Sequence, residues 1–373
     1  FPKIESKTLN ELNLKKNNLK DRISSNENNY QDIINKNSVL MDFLFHILIF
    51  IIILFLYIHI NNQYKRSEDL EIYEMDYVDN LQLQDVCNLK QPILFNYNTV
   101  NPEFVENINP DILENYGNYD VNVKEINDYW NPDINSVDYT ILPYQTANTL
   151  LSSDINSKYF MENNQTYLEE TGLIKQFELN DDLLKPPLTI QTSYDIQMGA
   201  KQTVTPLRYH TNYRQFICVN SGKISIKLTP WKSRKYLYPY KDYETYEFKS
   251  PINVWKPQHK YINEMDKIKW LDIDVLPGYM IFIPSYWWYS IKYSDEPNNC
   301  LTTFTYNNVM NIISNIRDIG LYYLQQSNIK PRIIKPIPEL SDDIIVNDDD
   351  KKELDDSITD DNNHIVTDLS TSL

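Results

Sequence analysis

The chain has 373 residues, of which 42% are hydrophobic, so it is long enough to bury a sizeable core in one large or two small domains. Its net charge of −17 argues against nucleic-acid binding, because that function needs a basic surface. The six glycines are widely dispersed and no G-x-G-x-x-G, P-loop or G-x-S-x-G motif occurs, which excludes dinucleotide-binding, P-loop and α/β-hydrolase sites.

The N-terminal part of the chain divides into a polar and an apolar segment. Residues 1–40 are rich in Asn, Lys and Ser without a sustained apolar face, which predicts a flexible polar arm. Between Phe43 and Tyr64 there is no Asp, Glu, Lys or Arg, and this length suffices to cross about 30 Å of hydrocarbon. No small-residue cleavage site follows. We therefore predict that residues 41–62 form an uncleaved transmembrane helix, with the lipid bilayer as the partner of this segment.

The side of the membrane depends on where translation starts. If the arm is present, the positive-inside rule puts the following domain outside the cytosol or in a lumen. If Met41 is the first residue, only Lys65 and Arg66 flank the helix and the domain is cytosolic, so the sequence leaves the orientation open. The sequon at Asn164 would be used only in a lumen. The basic residues that precede the helix are Lys15, Lys16, Lys20, Arg22 and Lys36.

Two segments of the remaining chain differ in pattern. Residues 63–190 mix strand-like and helix-like stretches, with a strand predicted over 91–95 and helix over 145–175, and we expect an α/β flank. Residues 191–330 are mainly β, ending in a helix predicted over 307–327.

Four strands of the β region are predicted to form two hairpins. Residues 216–220 and 224–228 alternate in polarity around a Ser-Gly turn, and residues 269–275 and 280–283 flank a Leu-Pro-Gly turn. The tail over residues 331–373 is predicted to be disordered, because it is Asp-rich and its last 35 residues carry a net charge of about −10.

Cysteine and histidine are scarce. Cys87, Cys218 and Cys300 form no C-x-x-C motif, and the sequence leaves open whether two of them pair. Outside the apolar segment and the tail, only His210 and His259 remain for a metal site or a general base. His259 lies in a Lys- and Pro-containing stretch that predicts an exposed loop.

Two motifs of the β region resemble the Jumonji-C/cupin-like oxygenases. Residues 198–210 are similar to a small-residue turn followed by T-P-L-H-x-D, and residues 277–289 look like P-G-D-x-x-x-I-P-x-x-W-W-H. The resemblance covers roughly residues 68–330. It implies a mainly β fold with flanking helices, in which a double-stranded β-helix barrel follows the single transmembrane helix. A membrane helix before such a domain is also similar to cupin-like membrane proteins of large DNA viruses, which implies a viral protein.

The resemblance assigns three positions to an iron site. In active members two His and one carboxylate hold Fe(II) and leave room for 2-oxoglutarate and oxygen. Here Arg208 and Tyr289 stand at the two His positions, and His210 stands at the carboxylate position. Arg does not ligate iron, because it is not deprotonated in proteins. If the motif is moved by two residues, His210 becomes the first ligand and Asn212 takes the carboxylate position. The site then has a neutral amide instead of a carboxylate, and Tyr289 still stands at the second His position. We therefore expect no metal and no cofactor.

These features predict a membrane-anchored, non-catalytic binding or structural protein, with a protein partner left open. The alternative is an atypical Fe(II)/2-oxoglutarate-dependent hydroxylase of protein side chains that uses His210. It also stays open whether Arg208, His210 and Tyr289 fill a closed core or bind an anionic ligand. We expect side-chain alternation to put Trp287 and Tyr289 on one face and Trp288 on the other. Four further residues are predicted to line the pocket or pack around it: Thr205, Tyr209, Lys223 and Trp287.

Overall fold

The computed structural model of the chain describes residues 3–131, 136–296 and 298–328, so the predicted acidic tail lies outside the described residues. The α-helices are Lys3–Gln63 (α1), Asn80–Cys87 (α2), Pro102–Asn107 (α3), Pro110–Leu113 (α4), Tyr144–Ser153 (α5), Gln165–Glu170 (α6), Ile174–Glu178 (α7), Asp181–Leu184 (α8), Ile262–Met265 (α9), Val309–Ser314 (α10) and Ile316–Asn328 (α11). Short 3-10 helices are Tyr97–Thr99, Glu114–Tyr116, Ile126–Trp130, Trp231–Tyr236 and His259–Tyr261.

The strands follow the same chain order. They are Tyr73–Glu74 (β1), Ile93–Asn96 (β2), Asp120–Glu125 (β3), Thr140–Pro143 (β4), Tyr159–Met161 (β5), Thr189–Gly199 (β6), Arg208–Tyr209 (β7), Arg214–Ser221 (β8), Ile224–Thr229 (β9), Tyr240–Asp242 (β10), Glu247–Lys249 (β11), Leu271–Val275 (β12), Tyr279–Phe282 (β13), Trp288–Tyr293 (β14) and Cys300–Asn308 (β15).

Helix α1 is one continuous helix of 61 residues. The structure therefore differs from the flexible arm predicted over residues 1–40, because residues 3–40 are helical. No Gly or Pro lies between Lys3 and Gln63, so nothing in the backbone interrupts a helix that extends from the apolar segment. Within Ile34–Gln63, a stretch of 18 residues has a mean hydropathy of 2.9 and is not buried inside the protein, so this part of the helix is long and apolar enough to cross a membrane.

Two sheets form the centre of the domain. One has nine strands in the order β1-β2-β13-β8-β15-β6-β5-β3-β4, and the other has six in the order β10-β11-β7-β14-β9-β12. From β6 to β9 and from β12 to β15 successive strands alternate between the two sheets. The prediction of a mainly β fold with flanking helices is confirmed, and this strand order is consistent with a double-stranded β-helix.

The two predicted hairpins have the right strands but the wrong pairing. Strand β8 pairs with β13 and β15, whereas β9 pairs with β12 and β14, so the turn at Gly222 joins the two sheets. Strands β12 and β13 likewise lie in different sheets, joined by the turn at Gly278. The two glycines have φ angles of 74° and 82°, a left-handed conformation that lets the chain turn sharply from sheet to sheet.

The flank and the C-terminal helix follow the predictions in part. The strand predicted over 91–95 is β2, and the predicted C-terminal helix is present as α10 and α11, which are separated at Asn315. The stretch predicted as helix over 145–175 instead contains strand β5 between α5 and α6. Strands β3, β4 and β5 extend the nine-stranded sheet beyond β6.

Three apolar clusters form the core. The first lies between the helical flank and the nine-stranded sheet, and includes Phe104, Phe177 and Phe304. The second fills the space between the sheets, and includes Ile226 and Ile281. The third packs the insertion between β9 and β12 onto the six-stranded sheet. A candidate site inside the barrel must therefore lie in or beside the second cluster.

Candidate functional site

The three positions that the resemblance assigns to iron lie next to one another. Arg208 in β7 is the cross-strand partner of Tyr289 in β14, and its guanidinium carbon lies 5.7 Å from the centre of the Tyr289 ring. His210 directly follows β7, and its ring centre is 6.2 Å from that of Tyr289. Extended backbone places residues 208 and 210 on the same face, which explains why all three side chains meet.

Arg208 is bound by two carboxylates. Its Nη1 and Nη2 atoms donate to the two oxygens of Glu162 at 2.8 and 2.5 Å, and Nη1 lies 3.4 Å from Oε1 of Glu247. The Glu162 side chain is 2% exposed, and that of Arg208 is 12% exposed. A bidentate contact between a guanidinium and a carboxylate is among the strong, geometrically specific ion pairs.

Lys124 completes a closed network with the same two carboxylates. Its ammonium lies 3.1 Å from Glu162 and 3.0 Å from Glu247, and it also donates to the Tyr129 hydroxyl at 3.3 Å. The Tyr129 hydroxyl donates in turn to Glu247. Two cations and two anions are therefore buried together, and each charge has an opposite charge within hydrogen-bonding distance. We call these four residues, with Tyr129, the ion-pair network.

The network joins the two sheets. Lys124 lies in β3 and Glu162 directly follows β5, both at the extended edge of the nine-stranded sheet. Arg208 in β7 and Glu247 in β11 belong to the six-stranded sheet. The side chains that meet here therefore hold together the two layers of the barrel where the resemblance would place a metal.

Electrostatics keep Glu162, Lys124 and Arg208 charged. Burial alone would raise the pKa of the Glu162 carboxyl, but Arg208 and Lys124 outweigh burial and lower this pKa to about 2. Burial would lower the pKa values of Lys124 and Arg208, yet the neighbouring carboxylates raise both well above their ordinary range. At neutral pH the Glu162 carboxylate is therefore ionised and paired with Arg208 and Lys124. Its two oxygens are not free to bind a metal ion.

His210 is neutral and already hydrogen-bonded. Its Nε2 lies 2.9 Å from the carbonyl oxygen of Ile283, so this nitrogen must carry the proton and donate. Burial, with the positive charges of Arg208 and Lys90, lowers the pKa of the imidazole to about 4. Metal binding through Nε2 would require this hydrogen bond to break.

The hydroxyl of Tyr289 is also engaged. It accepts a hydrogen bond of 3.0 Å from the side-chain amide of Gln215 in β8. The ring packs in the apolar cluster between the sheets. The phenol thus acts as a packing group with a satisfied polar end, which is the usual state of a buried tyrosine.

The donor set does not fit the Fe(II) site of the active family. One His position holds a cation, the nearest carboxylates neutralise that cation and Lys124, and His210 uses Nε2 in a backbone hydrogen bond. Among the described residues, no group of three or more His, Cys, Asp or Glu side chains is placed to hold a metal ion. His259, the other candidate, is exposed in a 3-10 helix.

The four further residues predicted to line the pocket or pack around it have different positions. The Thr205 hydroxyl accepts from the Ile291 amide at 2.9 Å, which ties the loop before β7 to β14. Trp287 packs between the sheets and its indole donates to the carbonyl of Lys90. Tyr209 faces the outer cluster instead, where its ring stacks on that of Phe248 with the centres 5.2 Å apart.

Lys223 lies away from the pocket, which corrects its assignment there. It precedes Ile224, the partner of Tyr293, whereas the partner of Tyr289 is Leu228 at the other end of β9. Its ammonium pairs with Asp274 at 2.7 Å near the surface. The predicted alternation of the Trp-Trp-Tyr stretch agrees with the structure, since Trp287 and Tyr289 lie between the sheets and Trp288 in the outer cluster.

Glu162, Glu247 and Lys124 are the site residues that the sequence did not single out. Glu162 ends a Tyr-Phe-Met-Glu stretch whose neighbours are buried, and Lys124 directly follows the buried Val123, so both are charged residues in apolar surroundings. A charged residue among apolar neighbours in a strand-like stretch was the sequence feature that could have indicated a buried ion pair. It does not say which of many carboxylates reaches Arg208, because the partners lie 46 and 39 positions away along the chain.

Two surface clefts lie elsewhere. A cleft of about 520 Å³ is bordered by strands β1, β2 and β13, and includes Glu74, Asp76 and Asp274. A smaller one of about 80 Å³ includes Asn148 and Lys201. Neither contains a residue of the ion-pair network.

Comparison with known proteins agrees with the fold. The profile of the cupin-like domain family matches residues 90–312, which is more than half of the chain. The JmjC domain-containing protein D of Dictyostelium discoideum is 26% identical over 143 residues, which cover 34% of this chain and 32% of that protein. The match thus spans about a third of the relative's length. The chain belongs to the family of proteins that carry a cupin-like domain.

Proposed function

We propose that this chain is a membrane-anchored cupin-like protein without oxygenase activity, which serves as a binding or structural component. The observation that carries the proposal is the bidentate pair between Arg208 and Glu162 at the position of the iron site. A cation at a ligand position repels a metal ion, and a paired carboxylate cannot bind iron without leaving Arg208 uncompensated. A role in a virion remains a prediction from the resemblance alone.

The membrane part of the proposal rests on α1. Its part Ile34–Gln63 has the length and hydropathy of a membrane span, and its apolar side chains are not buried by the rest of the described chain. A cleaved signal sequence would have the same features. Alkaline extraction of the membranes that contain the full chain separates the two, since an uncleaved span stays with the lipid and N-terminal sequencing detects cleavage.

The absence of oxygenase activity is tested on the full chain purified in detergent. After incubation with Fe(II) without oxygen and removal of free metal, we expect iron far below one atom per chain. We also expect no consumption of 2-oxoglutarate over the buffer control.

One result of the iron measurement would contradict the proposal. Iron at one atom per chain that disappears in His210→Ala, but not in Tyr289→Phe, would overturn the proposal and favour the atypical hydroxylase. His210→Ala removes the histidine of the site, whereas Tyr289→Phe keeps the ring and removes only the hydroxyl that Gln215 binds.

A further inference from the structure

The end of helix α1 is fixed to the domain that follows. The Tyr64 hydroxyl donates to the carbonyl of Ser314 in α10. The guanidinium carbon of Arg66 lies 4.4 Å from the ring centre of Trp231 and 4.2 Å from that of Tyr286. A cation close to two aromatic rings makes a favourable contact. The chain thus leaves the apolar helix and is held against the domain within three residues of Gln63.

The elements that flank this junction expose basic and apolar side chains. The 3-10 helix that begins at Trp231 carries Lys232, Arg234 and Lys235, all exposed, and Arg234 lies 5.0 Å from the Trp231 ring centre. On the other side Tyr286 donates to Asn315, and directly after Asn315 two exposed residues begin α11. We call the exposed residues around the junction the junction surface: Lys65, Lys232, Arg234, Lys235, Ile316 and Arg317.

The acidic groups nearby do not cancel this charge. Glu68 lies 3.5 Å from Lys232 and neutralises that one cation. Asp69 accepts hydrogen bonds from the neutral groups of Ser67 and Gln91 and keeps its negative charge, which is smaller than the summed positive charge of Lys65, Lys232, Arg234, Lys235 and Arg317. Asp318 is paired with Lys241 at 2.8 Å. In a chain with a net charge of −17, a group of cations at the end of the apolar helix is a local exception.

We propose that the junction surface rests on the bilayer that holds α1 and binds its anionic lipid headgroups. The inference depends on the proposed membrane anchor. The location selects lipid as the partner, because the cations lie around the point where the helix reaches the membrane boundary. Each Lys or Arg near an anionic membrane strengthens attachment by about five-fold, and aromatic residues such as Trp231 and Tyr236 are favoured at this depth. The contacts of Tyr64 and Arg66 then hold the domain in one orientation on the membrane.

The test uses the full chain in nanodiscs, made from phosphatidylcholine alone or from phosphatidylcholine with phosphatidylserine. An environment-sensitive fluorophore is attached to Lys235→Cys, and in a second preparation to Ile155→Cys, which is a 92% exposed position in the loop after α5. The native cysteines are buried, so the introduced thiol is labelled selectively. We expect a blue-shifted emission at residue 235 with the anionic lipid, a smaller shift with phosphatidylcholine or high salt, and none at residue 155.

A charge variant identifies the cause of the shift. The probe is moved to Ile316→Cys, which leaves all the cations of the junction surface in place. In this background we expect Lys232→Glu with Arg234→Glu to abolish the difference in emission between the two lipids. Lys175→Glu with Lys201→Glu makes the same change of charge at exposed positions elsewhere and should leave the difference intact.

The outcomes separate the two proposals. If the chain enters nanodiscs but the probe reports water in both lipids, or both charge variants behave alike, the junction surface is not a lipid-binding surface while the anchor stands. If the chain does not enter nanodiscs, the anchor and the junction surface fail together.

Discussion

At the scale of single residues, the need to neutralise buried charges determines the structure of the site. An isolated ion inside a protein costs several kcal/mol, so Arg208 at a barrel position is stable only with a partner. The family resemblance located Arg208, His210 and Tyr289 as a group, because its two motifs match residues 198–210 and 277–289. It did not locate Glu162 or Lys124, because their approach depends on how β3 and β5 extend the sheet.

Removing one carboxylate should therefore be costly. Glu162→Gln leaves Arg208 and Lys124 to share Glu247 within the network, so one buried positive charge becomes uncompensated. We expect a loss of about 3–5 kcal/mol in the free energy of unfolding. Urea unfolding of the full chain in detergent, followed by near-ultraviolet circular dichroism, measures this loss.

Two variants control this prediction. Lys223→Gln breaks the surface pair with Asp274, whose side chains are 39% and 56% exposed, and should cost at most about 1 kcal/mol. Adding Arg208→Met to Glu162→Gln restores the balance between Lys124 and Glu247 and should recover part of the loss. A Glu162→Gln protein as stable as Lys223→Gln would show that the network contributes no net stability.

At the scale of elements, the alternation of polarity predicted strands better than it predicted their partners. The strands around Gly222 and Gly278 were placed correctly, but each was assigned to a hairpin. Two strands of alternating polarity joined by a short turn that contains glycine are the usual signal of a β-hairpin. Here both sheets share one buried interior, and almost every residue of β8 is buried, so the chain crosses to the opposite sheet at each turn instead.

The close approach of the two sheets makes Gly199 a sensitive position. A Cβ atom at Gly199, the last residue of β6, would lie 2.1 Å from the ring of Tyr293 in β14, which is 1% exposed. We expect Gly199→Ala to lower the free energy of unfolding by about 1–3 kcal/mol, because the ring must move within a packed interior. Thermal unfolding in detergent compares it with Gly320→Ala in α11, where no atom beyond the adjacent residues and the backbone of the helix itself lies within 4 Å of the added carbon. Equal melting temperatures for the two variants would contradict this packing.

At the scale of the whole molecule, burial decides which surface chemistry is possible. The sequon at Asn164 illustrates this, since its side-chain amide donates to the Ile196 carbonyl, its oxygen accepts from the Asn122 amide, and the residue is 1% exposed. A glycan at Asn164 is incompatible with this fold on either side of the membrane. The sequon therefore does not indicate on which side of the membrane the domain lies.

Burial also sets how the stability of the molecule depends on pH. Asp195, Glu162 and His210 all titrate differently in the folded and unfolded chain. Burial raises the pKa of Asp195 to about 6, so this group favours folding as the pH falls. The pKa of Glu162, lowered to about 2 by Arg208 and Lys124 against the effect of burial, gives a contribution that is lost only below about pH 4.5. Burial lowers the pKa of His210 to about 4, so the pH range of its contribution overlaps with those of the two carboxyl groups.

The contribution of His210 can be isolated by comparison with His210→Gln. Burial lowers the pKa of His210 from 6.5 to about 4, so between these values the unfolded chain binds a proton that the folded chain does not. The stabilising effect of neutral His210 is complete above pH 6.5 and is lost as the pH falls to about 4. We expect the free energy of unfolding of the native chain, relative to His210→Gln, to fall by about 3 kcal/mol over this range. Urea unfolding of both proteins at a series of pH values measures the difference, in which Asp195 and Glu162 cancel because both proteins contain them. A difference that stays constant from about pH 7 to about pH 4 would mean that His210 is solvated, and that the barrel interior beside Arg208 is open to water.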